Sequence, residues 1–220
     1  MILALDKDFW VCYNISKTRK GEYAMAKAKW KGGTLLAPVP PALVTCSDGE
    51  RDNLLTVAWT GIVNSDPPKT YISVRPSRFS HGLIKKSGVF AINLTTKELV
   101  RATDWCGVYT GAKVDKFERC KLSKESANEI DCPILADAPV ALECRVTDVI
   151  SLGSHDMFLA DIVAVDVDEA LIGEDGKLHL ERAGLIAYAH GDYYELGKRL
   201  GHFGYSVAKK KKPQKKSAKK

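Results

Sequence analysis

The chain has 220 residues, of which 45% are hydrophobic, an ordinary share for one soluble domain with a sizeable core. No apolar run approaches the roughly 18 residues of a membrane helix, and Asp6, Lys7 and Asp8 stand where a signal peptide would be apolar, so the sequence reads as cytoplasmic. The net charge of +6 sits at one end: residues 208–220, AKKKKPQKKSAKK, hold eight lysines and no acid, and subtracting these leaves −2 for the rest.

In chain order, residues 1–24 show no clear period. Met25 opens a plausible alternative start, which would make the first 24 residues upstream read-through; the other reading is an ordered arm on a partner subunit. From there to residue 207 the punctuation is that of a β-rich domain. PALVTCS (41–47) reads as a strand and SDGE (47–50) as a turn. NLLTVAW (53–59) reads as a second strand, so apolar that both faces should be buried. NSDPP (64–68) stops the run, and TYISVR (70–75) is a third strand. FSHGLIKKSG (79–88) spaces Phe79, Leu83 and Ile84 along one face of a short helix. VFAINL (89–94) is a fourth strand, Thr95 or Thr96 is placed to cap a helix through KELVRATDW (97–105), and VDKFERC (114–120) offers another helical turn. ALECRVTDVISL (141–152) and HDMFLADIVAVDVD (155–168) are long β-patterned runs around Gly153, as expected of a hairpin. EDGK (174–177) is a further turn, and the last ordered piece, to Val207, is rich in aromatics and glycine. Strands dominate and helices are short insertions, which favours an antiparallel barrel over a doubly wound sheet. The lysine-rich residues 208–220 read as a disordered tail, either solvated or touching nucleic acid weakly; the near-neutral body gives no nucleic-acid face.

The chemistry concentrates in RPSRFSH (75–81). Arg75 and Arg78 stand three apart among Ser77 and Ser80, at the end of a strand and the start of a helix. Forked guanidiniums and hydroxyls suit the oxygens of a phosphate, and helix amides would face the same anion. No dinucleotide fingerprint G-x-G-x-x-G, no P-loop, no H-E-x-x-H and no G-x-S-x-G occurs. None of the five histidines has metal-ligand spacing. A smaller phosphate ester remains; the plain reading is two solvated arginines at a strand end. Cysteines 12, 46, 106, 120, 132 and 144 form no C-x-x-C and read as reduced, buried thiols.

The order NLLTVAW, DPP (66–68), ISVRPSRFS (72–80), FAIN (90–93), DKF (115–117), LEC (142–144) and GSHxxF (153–158) resembles the flavin reductase-like family of FMN-binding split barrels, its flavoredoxin branch above all. The closing GKxxGxFGYSV resembles that branch too, and the resemblance runs from about Leu35 to Val207. It implies a mainly β fold with short helices: an antiparallel six-stranded split β-barrel of Greek-key type. It also implies a homodimer that holds FMN non-covalently near the interface. NADH or NADPH would donate hydride transiently, and an unknown acceptor would take the electrons.

Mapped onto this sequence, the resemblance puts Arg78 and Ser80 on the phosphate, with Arg75 and Ser77 behind them. Asn53, Leu55, Thr56, Ala58, Trp59 and Ser73 would line the ring and ribityl chain. Trp59 is alternatively a core tryptophan, and Asn53 a turn residue. Lys116 and His155 match positions that approach the cofactor, with His155 the catalytic candidate; their plain readings are a surface lysine and a hairpin-turn residue. Asn93 would meet the ring through its backbone, and Tyr188 either covers the flavin or seals the core. Two functions share these residues: an NAD(P)H-dependent FMN reductase, and a flavoredoxin-type electron carrier between protein partners. A third reading, a binding module recruited through the tail, finds no support in the body.

Overall fold

The computed structural model describes residues 27–208. The proposed extension at 1–24 and the lysines of the tail lie outside them. Residues 27–35 form no helix or strand, and the folded unit begins at Leu36.

Seven antiparallel strands make one sheet. They are β1 (Ala42–Ser47), β2 (Asp52–Val57), β3 (Thr60–Ser65), β4 (Pro68–Val74), β5 (Val89–Leu94), β8 (Val140–Ser151) and β9 (Asp156–Val167). Their order is β2-β1-β5-β8-β9-β4-β3. Two short strands, β6 (Lys124–Ser126) and β7 (Pro133–Leu135), pair with each other, as do β10 (Ile186–Ala189) and β11 (Asp192–Glu195). The helices are α1 (Phe79–Ser87), α2 (Val100–Val108) and α3 (Lys116–Cys120).

The strand order forces the sheet to curl. β2 and β3 are its opposite edges, yet only Ala58 and Trp59 separate them in the chain. Six steps of about 4.8 Å would hold flat edges about 29 Å apart, whereas the three links from Val57 to Thr60 reach about 11 Å at most. The sheet must therefore wrap until its edges nearly meet, which is a barrel split along one seam. The Trp59 carbonyl accepts from the Ser73 amide of β4 at 3.0 Å and pins the link to the far edge.

Six strands are expected from the sequence and seven are found because one run is broken. NLLTVAWTGIVNS turns at Ala58–Trp59, so its halves serve different edges. The reason β1 and β2 are buried on both faces is also plain. One face points into the barrel, where Val44, Ile72, Phe90 and Phe158 meet Leu83 and Ile84 of α1. The other face is covered by α2 and α3, with Leu43 and Leu54 against Cys106 and Phe117.

Helix α1 is held by packing more than by propensity. It has nine residues, too few to persist alone, and Gly82 costs about 1 kcal/mol relative to alanine. Burial of Leu83 and Ile84 is worth about 1.5–3 kcal/mol each and outweighs both. Gly88 ends the helix at φ +73°, a left-handed cap donating its amide to Ile84 at 2.8 Å. His81 of α1 is also buried, and its Nε2 lies 2.8 Å from Asp156 at the start of β9. Thr95 and Thr96 do not cap α2, whose N-cap is Leu99: the Thr95 hydroxyl is spent on the Pro41 carbonyl at 2.7 Å. Asp115 does cap α3, accepting from the Glu118 amide at 3.1 Å.

Candidate functional site

The seam opens into a cleft of about 330 Å³, at the lower end of the roughly 300–1,000 Å³ typical of small-molecule sites. One wall is Leu55, Thr56, Ala58 and Trp59, the end of β2 and the link that crosses the seam. Ser73, Arg75 and Arg78 come from the end of β4 and the loop into α1; His155 comes from the β8–β9 turn, and Tyr188 from β10. A narrower recess shares Leu55, Thr56, Arg78 and Gly107 with this cleft, so the two adjoin. Asn53, Ser80, Gly111 and Lys116 line the recess.

Arg78 and Lys116 make the recess positive. Among the described residues neither Arg75 nor Arg78 pairs with a carboxylate. Lys116 is only 3% exposed, and its Nζ donates to the Cys106 carbonyl at 2.7 Å. Burial holds this ammonium below the ordinary lysine range, opposed by the Cys106 thiol and reinforced by the Arg78 charge. Arg78 and Lys116 share the recess and Arg75 lines the adjoining cleft, so an anion between Arg78 and Lys116 would relieve their repulsion and offset the desolvation of Lys116. Asn53 donates its Nδ2 to the Ser80 hydroxyl at 2.7 Å, fixing both beside the recess. A Cβ at Gly111 would come within 2.0 Å of Asn53 Oδ1, so the backbone there can approach only as glycine.

The wider end sets aromatic side chains beside the two arginines. Trp59 is 42% exposed, too open for a core tryptophan, and its ring lies 4.6 Å from that of His155. His155 is set by a tight turn: Gly153 at φ +96° lets the Leu152 amide reach the His155 carbonyl at 2.9 Å. Its Nδ1 lies 2.9 Å from the Ser154 hydroxyl, leaving Nε2 without a partner among the described residues. Burial, with the charges of Arg75 and Arg78 behind it, lowers the His155 pKa, so the ring is neutral near pH 7. Thr56 donates its hydroxyl to the Thr103 carbonyl, locking β2 to α2, and Gly107 leaves room beside it. Tyr188 packs on Tyr193 at 5.3 Å and is held through its backbone to Val39.

Twelve of the fourteen sequence candidates thus line the cleft or its recess; Ser77 and Asn93 do not. Ser77 is exposed on the loop before α1 and faces neither opening. Asn93 is fully buried, and its amide is committed to the fold. It donates to the Leu43 carbonyl at 2.9 Å and to Thr45 Oγ1 at 3.1 Å, and its Oδ1 accepts from the Leu135 amide at 2.9 Å. Lys116 is no surface lysine, and Asn53 is a strand residue paired with Cys46. The sequence reading missed Gly107, Gly111 and Tyr193. The glycines bracket GVYTG just before the DKF motif, a signal that was present; Tyr193 needed the hairpin that the αL pair His190 and Gly191 creates.

The seam of this split barrel thus sets aromatic side chains and two arginines in one cleft, beside a recess with a buried lysine. A family model for the flavin reductase like domain matches residues 35–197. The flavoredoxin of Desulfovibrio vulgaris (Miyazaki F) superimposes with a TM-score of 0.77 at 28% identity, covering 83% of this chain and 100% of that one. An FMN-binding protein from Thermus thermophilus, solved with bound 1-cyclohex-2-enone, gives 0.67 at 27% identity, covering 82% and 99%. An NADPH-flavin oxidoreductase of Streptomyces viridifaciens is 27% identical over 157 residues, 68% of this chain and 78% of that one. The chain belongs to the flavin reductase like family, and its fold is the family's split barrel.

Proposed function

We propose that this protein binds FMN along the seam and acts as an NAD(P)H-dependent flavin reductase. The observation that supports the reading is the adjacency of cleft and recess: Arg78 lines both the recess of Asn53, Ser80 and Lys116 and the wider end of Trp59 and His155. Arg78 and Ser80 at the mouth of the recess would hold the phosphate, and Leu55, Thr56, Ala58, Trp59 and Ser73 would hold the ribityl chain and ring. Bound FMN supplies the redox chemistry, accepting hydride and passing electrons on. The chain's own residues bind and orient. Arg78, Arg75 and Lys116 neutralise the phosphate, with Lys116 better charged when the anion is present. Neutral His155 holds a proton at Nε2 when Ser154 donates to Nδ1, and is the group at hand to stabilise charge at the ring edge. The absence of a dinucleotide fingerprint fits a nicotinamide that meets the flavin directly.

A second reading is an electron carrier that keeps its flavin and relays electrons between proteins; the full-length match to a flavoredoxin favours it. In either case we propose a homodimer. Ile62 and Val63 on the edge strand β3, with Leu152 at the β8–β9 turn beside His155, leave apolar side chains exposed that a second copy would cover. No helix among the described residues is long and apolar enough to cross a membrane.

The test is the visible spectrum of the purified protein before and after NADH and then NADPH. A yellow protein bleached by either coenzyme supports the reductase. Bleaching by dithionite alone supports the carrier, and a protein that stays colourless after FMN is added refutes both. A monomer by light scattering refutes the shared interface.

A further inference from the structure

Cys106 and Cys120 lie fourteen residues apart, at the ends of α2 and α3, yet their Sγ atoms are 3.8 Å apart. This is van der Waals contact, and a disulfide of about 2.05 Å needs the sulfurs to close by only about 1.8 Å. The two thiols differ in access. Cys46, Cys106, Cys132 and Cys144 are buried, whereas Cys120 is half-buried. Cys120 lines an open groove with Arg101, Arg119, Lys121 and Trp105, where Asp104 is the single acid. Burial, with the Cys120 sulfur adding to it, pushes the Cys106 thiol up to about 12, so Cys106 is a poor first nucleophile.

Cys106 also touches the flavin cleft. It lines the recess together with Gly107, Gly111 and Lys116, and its carbonyl holds Lys116 Nζ. We propose that Cys106 and Cys120 form a peroxide-responsive dithiol whose disulfide pins α2 to α3 and weakens flavin binding in the recess. The coupling to flavin rests on the FMN reading above; the thiol chemistry does not.

The chemistry balances in two steps. The Cys120 sulfur attacks hydrogen peroxide, the O–O bond breaks, and the departing hydroxide takes the thiol proton as water, leaving a sulfenic acid. The groove's cations face the developing negative charge. The Cys106 sulfur then attacks that of Cys120, the S–O bond breaks, and a second water leaves with the Cys106 proton. Two thiols lose two electrons and one peroxide becomes two waters. Drawing the sulfurs together shifts the Cys106 carbonyl and the Lys116 ammonium that it holds. The expected penalty is about tenfold in FMN affinity, equivalent to one weakened charge-assisted hydrogen bond.

The experiment treats the purified full chain with stoichiometric hydrogen peroxide, maps its peptides by mass, and titrates FMN by fluorescence before and after. The expected result is a Cys106–Cys120 linked peptide and FMN binding about tenfold weaker, the energy of one such hydrogen bond. Dithiothreitol should reverse both, and neither should appear in Cys120→Ser. Oxidation of Cys120 to sulfinic acid without linkage, or linkage with unchanged FMN affinity, overturns the proposal. FMN binding with no linkage overturns the dithiol alone. Linkage in a protein whose reduced form takes up no FMN overturns the flavin assignment and the coupling.

Discussion

Replacing Arg78 by alanine separates a phosphate site from a ring site. The Arg78 side chain meets no carboxylate among the described residues, so its loss leaves no buried acid stranded. Its part in α1 is played by the backbone, whose carbonyl accepts from the His81 amide at 3.0 Å and survives the substitution. Stability should therefore hold while affinity falls. A hydrogen bond to a charged group is worth about 1.5–3 kcal/mol, and the exposure of Arg78 argues for the lower end. FMN should bind about tenfold more weakly, the equivalent of about 1.4 kcal/mol. Riboflavin, which has the ring and ribityl chain but no phosphate, should be affected less than about twofold on the same scale. Fluorescence-quenching titrations of both flavins, at two salt concentrations, make the comparison. FMN affinity should fall with salt in the parent and fall less steeply in the variant. Equal losses for FMN and riboflavin would refute the assignment of the recess to phosphate.

Three further outcomes are expected. Gly111→Ala forces a Cβ against Asn53 Oδ1, so the Asn53–Ser80 hydrogen bond breaks; urea denaturation should show a loss of about 1–3 kcal/mol, with weaker FMN binding. Asn93→Leu strands the Leu135 amide and the Leu43 carbonyl and should cost about 2–4 kcal/mol in the same assay; the variant should keep its flavin affinity, since Asn93 lies outside the cleft. The His155 imidazole, followed by NMR, should titrate below the ordinary value of about 6.5 and move upward in Arg75→Ala, which removes one of the two charges lowering it. Because its folded pKa is depressed, the unfolded chain binds more protons between the two values; His155 therefore contributes stability above the ordinary value that is lost as pH falls through the folded one.

What was legible in the sequence follows from how local each signal is. Helix α1, with Gly88 as its cap, and the β8–β9 hairpin around Gly153 are set by neighbouring residues, so periodicity and turn chemistry found them. Strand β3 was not legible. The second strand reads as ending at Trp59, but TGIVNS reads as no strand, because only its place at the far sheet edge makes it one. Asn93 shows the same limit. A buried amide and a cofactor contact look alike in VFAIN, and the distinction comes from Leu43 and Leu135, one from a neighbouring strand and the other from β7. The buried pair His81 and Asp156 spans 75 residues, and no spacing rule reaches that far. The arginines of RPSRFSH were legible as a cation cluster because clustered cations are themselves a local signal, although Lys116, whose ammonium feels the Arg78 charge, was reached only through the family resemblance.

The link of Ala58 and Trp59 also acts as a hoop that fixes the girth of the barrel. Every other closure in the sheet is a ladder of hydrogen bonds between strands, but this one is covalent and two residues long. Lengthening it would remove no strand pairing and would let the two edges spread. The width of the seam is thus adjustable at a single point. Remodelling toward bulkier cofactors would begin with the number of residues between Val57 and Thr60, before any side chain in the wall is changed.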